Sequence, residues 1–232
     1  MKVPILYQIE NFLRNFKKIT PIKHVQPSYS QFGEDIFLRE FFRNQHYGFY
    51  VDIGAYHPYR FSNTLLLYRK GWRGINIEPN PISYKKIQNR KRDINLNLAV
   101  STMDGNMQFN IHDAMSGIMY DSYILTGKET GEAVIVNTRP LSAILDEYLP
   151  KKKEIDFFSI DCEGHDLEVI KSNNWDKYRP KIVLVEDHNL SLNSEINRQM
   201  RDLGYKYYIR MNITKIFLEK GIADQYIPTD QN

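Results

Sequence analysis

The chain predicts an α/β fold: a doubly wound, mostly parallel sheet that ends in an antiparallel strand pair. Three observations support this. Short, nearly continuous apolar runs alternate with stretches of helical periodicity about five times along the chain. Four of these runs stop at an acid, at Asp52, Glu78, Asp161 and Glu186-Asp187. The last two runs, 205–211 and 214–219, are separated only by Asn212-Ile213, which is hairpin spacing.

The 232 residues suffice for one α/β domain with a core and a short extension. A net charge of +3, from 31 basic and 28 acidic residues, is too balanced to argue for nucleic acid. No zinc-finger spacing or ribonucleoprotein motif occurs. Cys162 is the single cysteine, so no intrachain disulfide can form, which fits a reducing compartment. No apolar run reaches the roughly 18 residues of a membrane span. Gln8, Glu10, Asn11 and Arg14 break any signal-peptide core. The expectation is a cytoplasmic protein.

Residues 5–18 place Ile5, Leu6, Ile9, Phe12, Leu13 and Phe16 at helical spacing, with Arg14, Lys17 and Lys18 on other faces. Such a helix packs on the domain or on a second subunit in a homo-oligomer, or lies on a membrane surface. Pro21 and Pro27 mark a linker. The chain thus divides into an N-terminal helix and linker (1–27), a folded domain (28–222) and a tail (223–232).

Within the domain, Ser30 followed by Gln31, Gly33, Glu34 and Asp35 forms a polar loop that caps a helix burying Ile36, Phe37, Phe41 and Phe42. Glu34 and Asp35 there either complement the helix N-terminus or reach a cationic ligand. A strand at 48–53 feeds a helix at 62–70. A strand at 74–78 stops at Pro79-Asn80-Pro81, and a helix follows over 82–92. Its Lys85, Lys86, Arg90, Lys91 and Arg92 read as a solvated face. Residues 94–100 alternate as a third strand. Short strands at 107–111 and 133–138 flank a polar insertion, 113–131, read as a surface loop or an acceptor-binding lid. A helix at 141–149, a strand at 156–161 and a turn and helix at 164–172 follow. Then come a strand at 181–186, a helix from a Ser191 cap to Leu203, and the closing pair.

In a parallel sheet the four acidic strand ends emerge on one edge, where open α/β sheets bind ligands. The stretch 49–64 forms the floor of that site, with Asp52 and Gly54 at the edge. Neither G-x-G-x-x-G nor a P-loop is present. A pyrophosphate prefers backbone N–H groups without a nearby acid. Asp52 beside Gly54 therefore disfavours NAD and ATP. It suits a ligand with an amino group and a sulfonium, that is S-adenosylmethionine. Glu78 is placed to accept from two ribose hydroxyls, and Val100 ends the third strand where an adenine ring lies against apolar groups.

Six segments occur in one order: SQFGED (30–35), YVDIGAYHPYRFSNT (50–64), GWRGINIEPNP (71–81), LNLAVS (96–101), DFFSIDCEGHDLEVIKSNNW (156–175) and RPKIVLVEDH (179–188). Together they resemble the FkbM-type S-adenosylmethionine-dependent methyltransferases, over roughly residues 28–220. The resemblance implies a Rossmann-like class I methyltransferase domain and methyl transfer to a hydroxyl, typically of a sugar in a polysaccharide, glycolipid or glycosylated natural product. It carries cofactor binding onto Glu34, Asp52, Gly54, Asn63, Glu78 and Asp161. Many members have a second glycine after Asp-x-Gly; here His57-Pro58-Tyr59-Arg60 fills that loop.

On the acceptor side a base or a metal must help a sugar hydroxyl react. His165 after Asp161-Cys162-Glu163-Gly164, and His188 after Glu186-Asp187, are the candidate bases. Asp161, Glu186 and Asp187 offer a hard-oxygen set for Mg²⁺, an arrangement similar to metal-dependent sugar O-methyltransferases. Without a metal these acids bind sugar hydroxyls. Two other readings stay open: an NAD-dependent nucleotide-sugar-modifying enzyme, and a non-catalytic assembly subunit that docks through its N-terminal helix.

Overall fold

The structure, a computed structural model, describes residues 27–110 and 133–226. The helix expected over 5–18 and the insertion over 113–131 lie outside the described residues. The main sheet has seven strands: β1 Phe49–Ile53, β2 Arg73–Ile77, β3 Ile94–Leu96, β7 Phe157–Ile160, β8 Ile182–Glu186, β9 Tyr205–Met211 and β10 Thr214–Glu219. Their order is β3-β2-β1-β7-β8-β10-β9. The first five pair in parallel, and β10 runs antiparallel to both β8 and β9. The expected doubly wound sheet with a closing antiparallel pair is what the chain forms.

Every residue of β1, β7 and β8 is buried, as in strands covered on both faces. Side-chain alternation divides them between two cores. Phe49, Val51 and Ile53 join Phe158, Ile160, Val183 and Val185 under the helices α4 (Leu141–Tyr148), α5 (Asp166–Lys171) and α6 (Glu195–Asp202). Tyr50, Phe157, Ile182 and Leu184 face α1 (Glu34–Phe41) and α2 (Leu65–Arg69). Gly74 is needed in β2, because a Cβ there would overlap the Tyr50 ring on the neighbouring strand.

Four local expectations are corrected. The third strand is split: β3 belongs to the main sheet, whereas β4 (Ala99–Val100) pairs with β6 (Ala133–Arg139) in a second sheet that also holds β5 (Gly105–Asn110). Between them the Asn97 amide donates to the carbonyls of Glu78 and Pro79, at 2.8 and 3.0 Å, and holds the chain where it leaves the sheet. Helix α3 (Pro81–Ile87), capped by Asn80, ends well before residue 92, and Arg90 is only 2% exposed. The α6 cap is Ser194, whose hydroxyl accepts from Asn197 N, and not Ser191. The chain also forms α7 (Lys220–Tyr226), with Ala223 buried in the second core, where the sequence reading placed no element.

Candidate active site

The strand order reverses between β1 and β7, and such switch points open a crevice at the carboxyl ends of the strands. Gly54 follows β1 there with φ +82°, and a Cβ would overlap the carbonyl oxygen of Asp161 after β7. Only glycine lets the two strand ends come this close. The Gly54 amide donates to Ile77 O at 2.9 Å, which ties the turn to β2.

Around this turn the acids occupy the ends of adjacent strands. Glu78, after β2, is buried. Its carboxylate accepts from Tyr56 N at 2.7 Å and Asn80 N at 2.8 Å. Burial pushes its carboxyl up to about 7 despite those two bonds. Asp52 lies one residue inside β1. Its carboxylate accepts from the Thr64 hydroxyl at 2.9 Å and is hydrogen-bonded by Ser159. Burial raises its carboxyl too, against the pull of Thr64 and Arg90. The Asn63 amide donates to the Ser159 hydroxyl at 3.1 Å, so Asn63 joins the same small network.

Asp161 and Glu186 form a hydrogen-bonded carboxyl pair at the ends of β7 and β8. Burial drives Asp161 well upward, and the charges of Glu186, Glu163 and Asp166 add to it. Burial likewise raises Glu186, with Glu163 and Asp166 adding and His188 opposing. Both carboxyls are therefore held above the ordinary carboxylate range, chiefly by burial. His188 Nε2 lies 3.6 Å from Glu186 Oε1. Glu186 Oε2 is buried with no hydrogen-bond partner among the described residues. His165 precedes α5, and its Nε2 is likewise buried without a partner. Glu34 completes the row. It accepts from Thr214 Oγ1 at 2.9 Å, and Thr214 stands opposite Glu186 in the β8–β10 register.

Two predicted site residues stand apart from this rim. Val100 sits in the small second sheet and packs into the core. Asp187 bonds Lys215 Nζ at 2.8 Å and the Ser194 hydroxyl at 2.6 Å. The set Asp161, Glu186 and Asp187 is therefore not assembled as a metal centre. Among the described residues no group of three His, Cys, Asp or Glu side chains is close enough to hold a metal ion.

Sequence reasoning missed two buried cations that shape the site. Arg90 donates to Pro58 O at 3.0 and 2.8 Å and to the Ser62 hydroxyl at 2.8 Å. It thereby fixes the loop after Gly54. Lys215 donates to Asp187, to Asn189 O at 2.7 Å, to Ser191 O at 2.9 Å and to Ser194. It fixes the loop after Glu186. The one available signal was for Lys215, which shares the register of Phe217 on a strand whose neighbours are buried.

The sheet thus carries acids, rather than a phosphate-binding glycine loop, at its switch point. The family model described as the methyltransferase FkbM domain matches residues 52–207, and the chain belongs to that family. Similar solved structures include the methyltransferase domain of human METTL16, at 10% identity over 86% of this chain and 71% of that one, with a TM-score of 0.49. A methyltransferase from Geobacter sulfurreducens is 12% identical over 94% and 90%, with a TM-score of 0.44. An O-methyltransferase from Bacillus cereus, in complex with SAH, is 11% identical over 83% and 84%, with a TM-score of 0.43. None of the curated proteins matches the chain.

Proposed function

We propose that this chain is an S-adenosylmethionine-dependent O-methyltransferase that methylates a sugar hydroxyl of a glycan, glycolipid or glycan precursor. The observation that carries the reading is the row of acids, Glu78, Asp52, Asp161, Glu186 and Glu34, around the Gly54 turn. This donor set fits the group, because acids suit an amino group and a sulfonium and would repel a pyrophosphate.

S-adenosylmethionine, when bound, supplies an electrophilic methyl group. In this reading Glu78 accepts from the ribose hydroxyls. Each of its oxygens already takes one backbone N–H and keeps a further acceptor site. Asp52, occupied by Thr64 and Ser159, holds the turn and adds its charge from beneath. Asp161 and Glu34 face the amino-acid end, and Asn63 steadies Ser159 beside them. His188 takes the proton of the acceptor hydroxyl, and the Asp161–Glu186 pair orients it through the 3.6 Å approach of Glu186. His165 is the second candidate, favoured by its unpartnered Nε2. The reading invokes no Mg²⁺, since Lys215 already neutralises Asp187.

Supporting the sugar acceptor are the neighbouring carboxyls, which are good partners for several hydroxyls at once. The protein acts in the cytoplasm, where its cofactor is made, as a single chain or a homo-oligomer.

Titration calorimetry with S-adenosylmethionine tests the first half: the protein binds it, and Glu78→Gln weakens binding by about 1.5–3 kcal/mol, about 10- to 150-fold. Absence of heat from the wild-type protein sinks the reading. His188→Ala keeps cofactor affinity and loses about 10²- to 10⁴-fold in turnover. If His165→Ala shows that loss instead, the base is reassigned. Mass spectrometry of glycans from cells with and without the protein identifies the acceptor by the mass of one methyl group.

A further inference from the structure

We infer that a cleft at the opposite edge of the sheet binds a phosphate-bearing anion. The cleft has a volume of about 610 Å³ and lies where the chain enters β7 and β8. That volume is in the range of small-molecule sites. Leu145, Ile155 and Tyr178, all buried, contribute its apolar lining. The cations come from two segments distant in sequence. Lys151, Lys152 and Lys153 belong to the turn after α4, and Lys177, Arg179 and Lys181 precede β8. Asp146 and Glu154 are the acids in the lining.

The second group of cations is matched inside the protein. Lys177 pairs with Asp146, Lys181 lies 2.6 Å from Asp156, and Arg179 lies 3.7 Å from Glu219. Lys151, Lys152 and Lys153 are exposed and have no acidic partner among the described residues. A lysine after a helix complements the helix C-terminus, but that effect is confined to the last turn. It does not explain why three lysines in a row, none with an acidic partner among the described residues, line one side of a cleft. Lys152 holds φ +61°, a left-handed conformation disfavoured for any residue with a Cβ, in a turn closed by Lys153 N donating to Pro150 O at 3.0 Å. Strain of this kind is often kept where a loop has a task.

The three unpaired lysines repel one another, and a multivalent anion relieves that repulsion. Ammonium groups act on phosphate as point charges, and the apolar lining accepts the organic part of an ester. The phosphate can come from a soluble ester or from a lipid headgroup. The cleft lies at the amino ends of the strands, the cofactor rim at their carboxyl ends, so the two sites are separate.

The test is calorimetric titration of the full chain with inorganic pyrophosphate, alongside flotation with vesicles of phosphatidylcholine alone or mixed with phosphatidylglycerol. Pyrophosphate is expected to bind. The triple variant Lys151→Ala, Lys152→Ala, Lys153→Ala should bind at least about tenfold more weakly, while melting like the wild type. Replacing the same three lysines by arginine should retain binding. Lys85→Ala with Lys91→Ala, which removes exposed charge elsewhere, should change affinity by less than about twofold. Flotation on the phosphatidylglycerol vesicles together with pyrophosphate binding assigns a lipid headgroup, and pyrophosphate binding without flotation assigns a soluble ester. No heat with pyrophosphate at low ionic strength overturns the inference whether or not the vesicles float, and so does an equal loss in the Lys85/Lys91 variant.

Discussion

The two loops that border the candidate site are held by buried cations in different ways. On the cofactor side, Arg90 holds residues 58–62 through neutral acceptors, the carbonyl of Pro58 and the hydroxyl of Ser62. Its acid, Asp93, lies 3.8 Å away and is itself engaged with Tyr50, Asn76 and Gly74. On the acceptor side, Lys215 makes a direct 2.8 Å ion pair with Asp187 and two bonds to loop carbonyls, at 0% exposure. The loop after Gly54 is thus held through neutral acceptors, and the loop after Glu186 is gathered on one ion pair, with Asp187 also accepting from Asn189 N and the Ser194 hydroxyl.

This difference predicts unequal sensitivity. Lys215→Met leaves Asp187 buried without a counter-charge and releases the carbonyls of Asn189 and Ser191. Breaking a buried pair from one side costs about 3–5 kcal/mol, which chemical denaturation will show. Adding Asp187→Leu should recover part of the loss, because it removes the stranded charge. If Lys215→Met is as stable as the wild type, the acceptor loop does not depend on this pair.

Arg90→Met should cost less, about 1.5–3 kcal/mol, since its hydrogen bonds run to neutral acceptors. Its sharper readout is cofactor affinity, because the Pro58–Ser62 stretch continues the Gly54 turn. Weaker S-adenosylmethionine binding with unchanged acceptor KM supports the division of the rim. Equal effects on both would dissolve it.

Much of this architecture was legible in the sequence. Apolar strand runs ending at Asp52, Glu78, Asp161 and Glu186 fix the order of elements and bring the acids to one edge, since parallel strands share a direction. The two anchoring cations were not legible. Arg90 sits in a run with Lys91 and Arg92, and local charge pattern cannot tell a solvated arginine from one that folds under a loop 28 to 32 positions earlier in the chain. Asp187 stands apart from the rim for a different, local reason. Adjacent residues at a strand end point in opposite directions, so Glu186 reaches Asp161 while Asp187 turns to Lys215. The break between β3 and β4 depends on the Asn97 amide finding two carbonyls of another turn, a non-local event that alternation cannot report.

The smallest expected effect is on pH dependence, and it tests the two halves together. Burial raises Glu78 to about 7 from 4.5 and Asp166 to about 6 from 3.8, and it raises Asp161 and Glu186 in the same direction. A carboxyl raised in the folded state adds stability that is complete below its unfolded value and is lost as pH rises through the folded value. The ligand-free protein should therefore melt a few degrees lower at about pH 8 than at about pH 5.5, opposite to ordinary acid denaturation. Differential scanning calorimetry checks this. Glu78→Gln removes the cofactor-side share and Glu186→Gln the acceptor-side share. S-adenosylmethionine, which favours ionised Glu78, should reduce the first share and bind more tightly as pH rises toward about 7. A melting temperature that climbs steadily from pH 5.5 to 8 in the ligand-free protein would mean that the rim acids are ionised throughout and that burial does not control them.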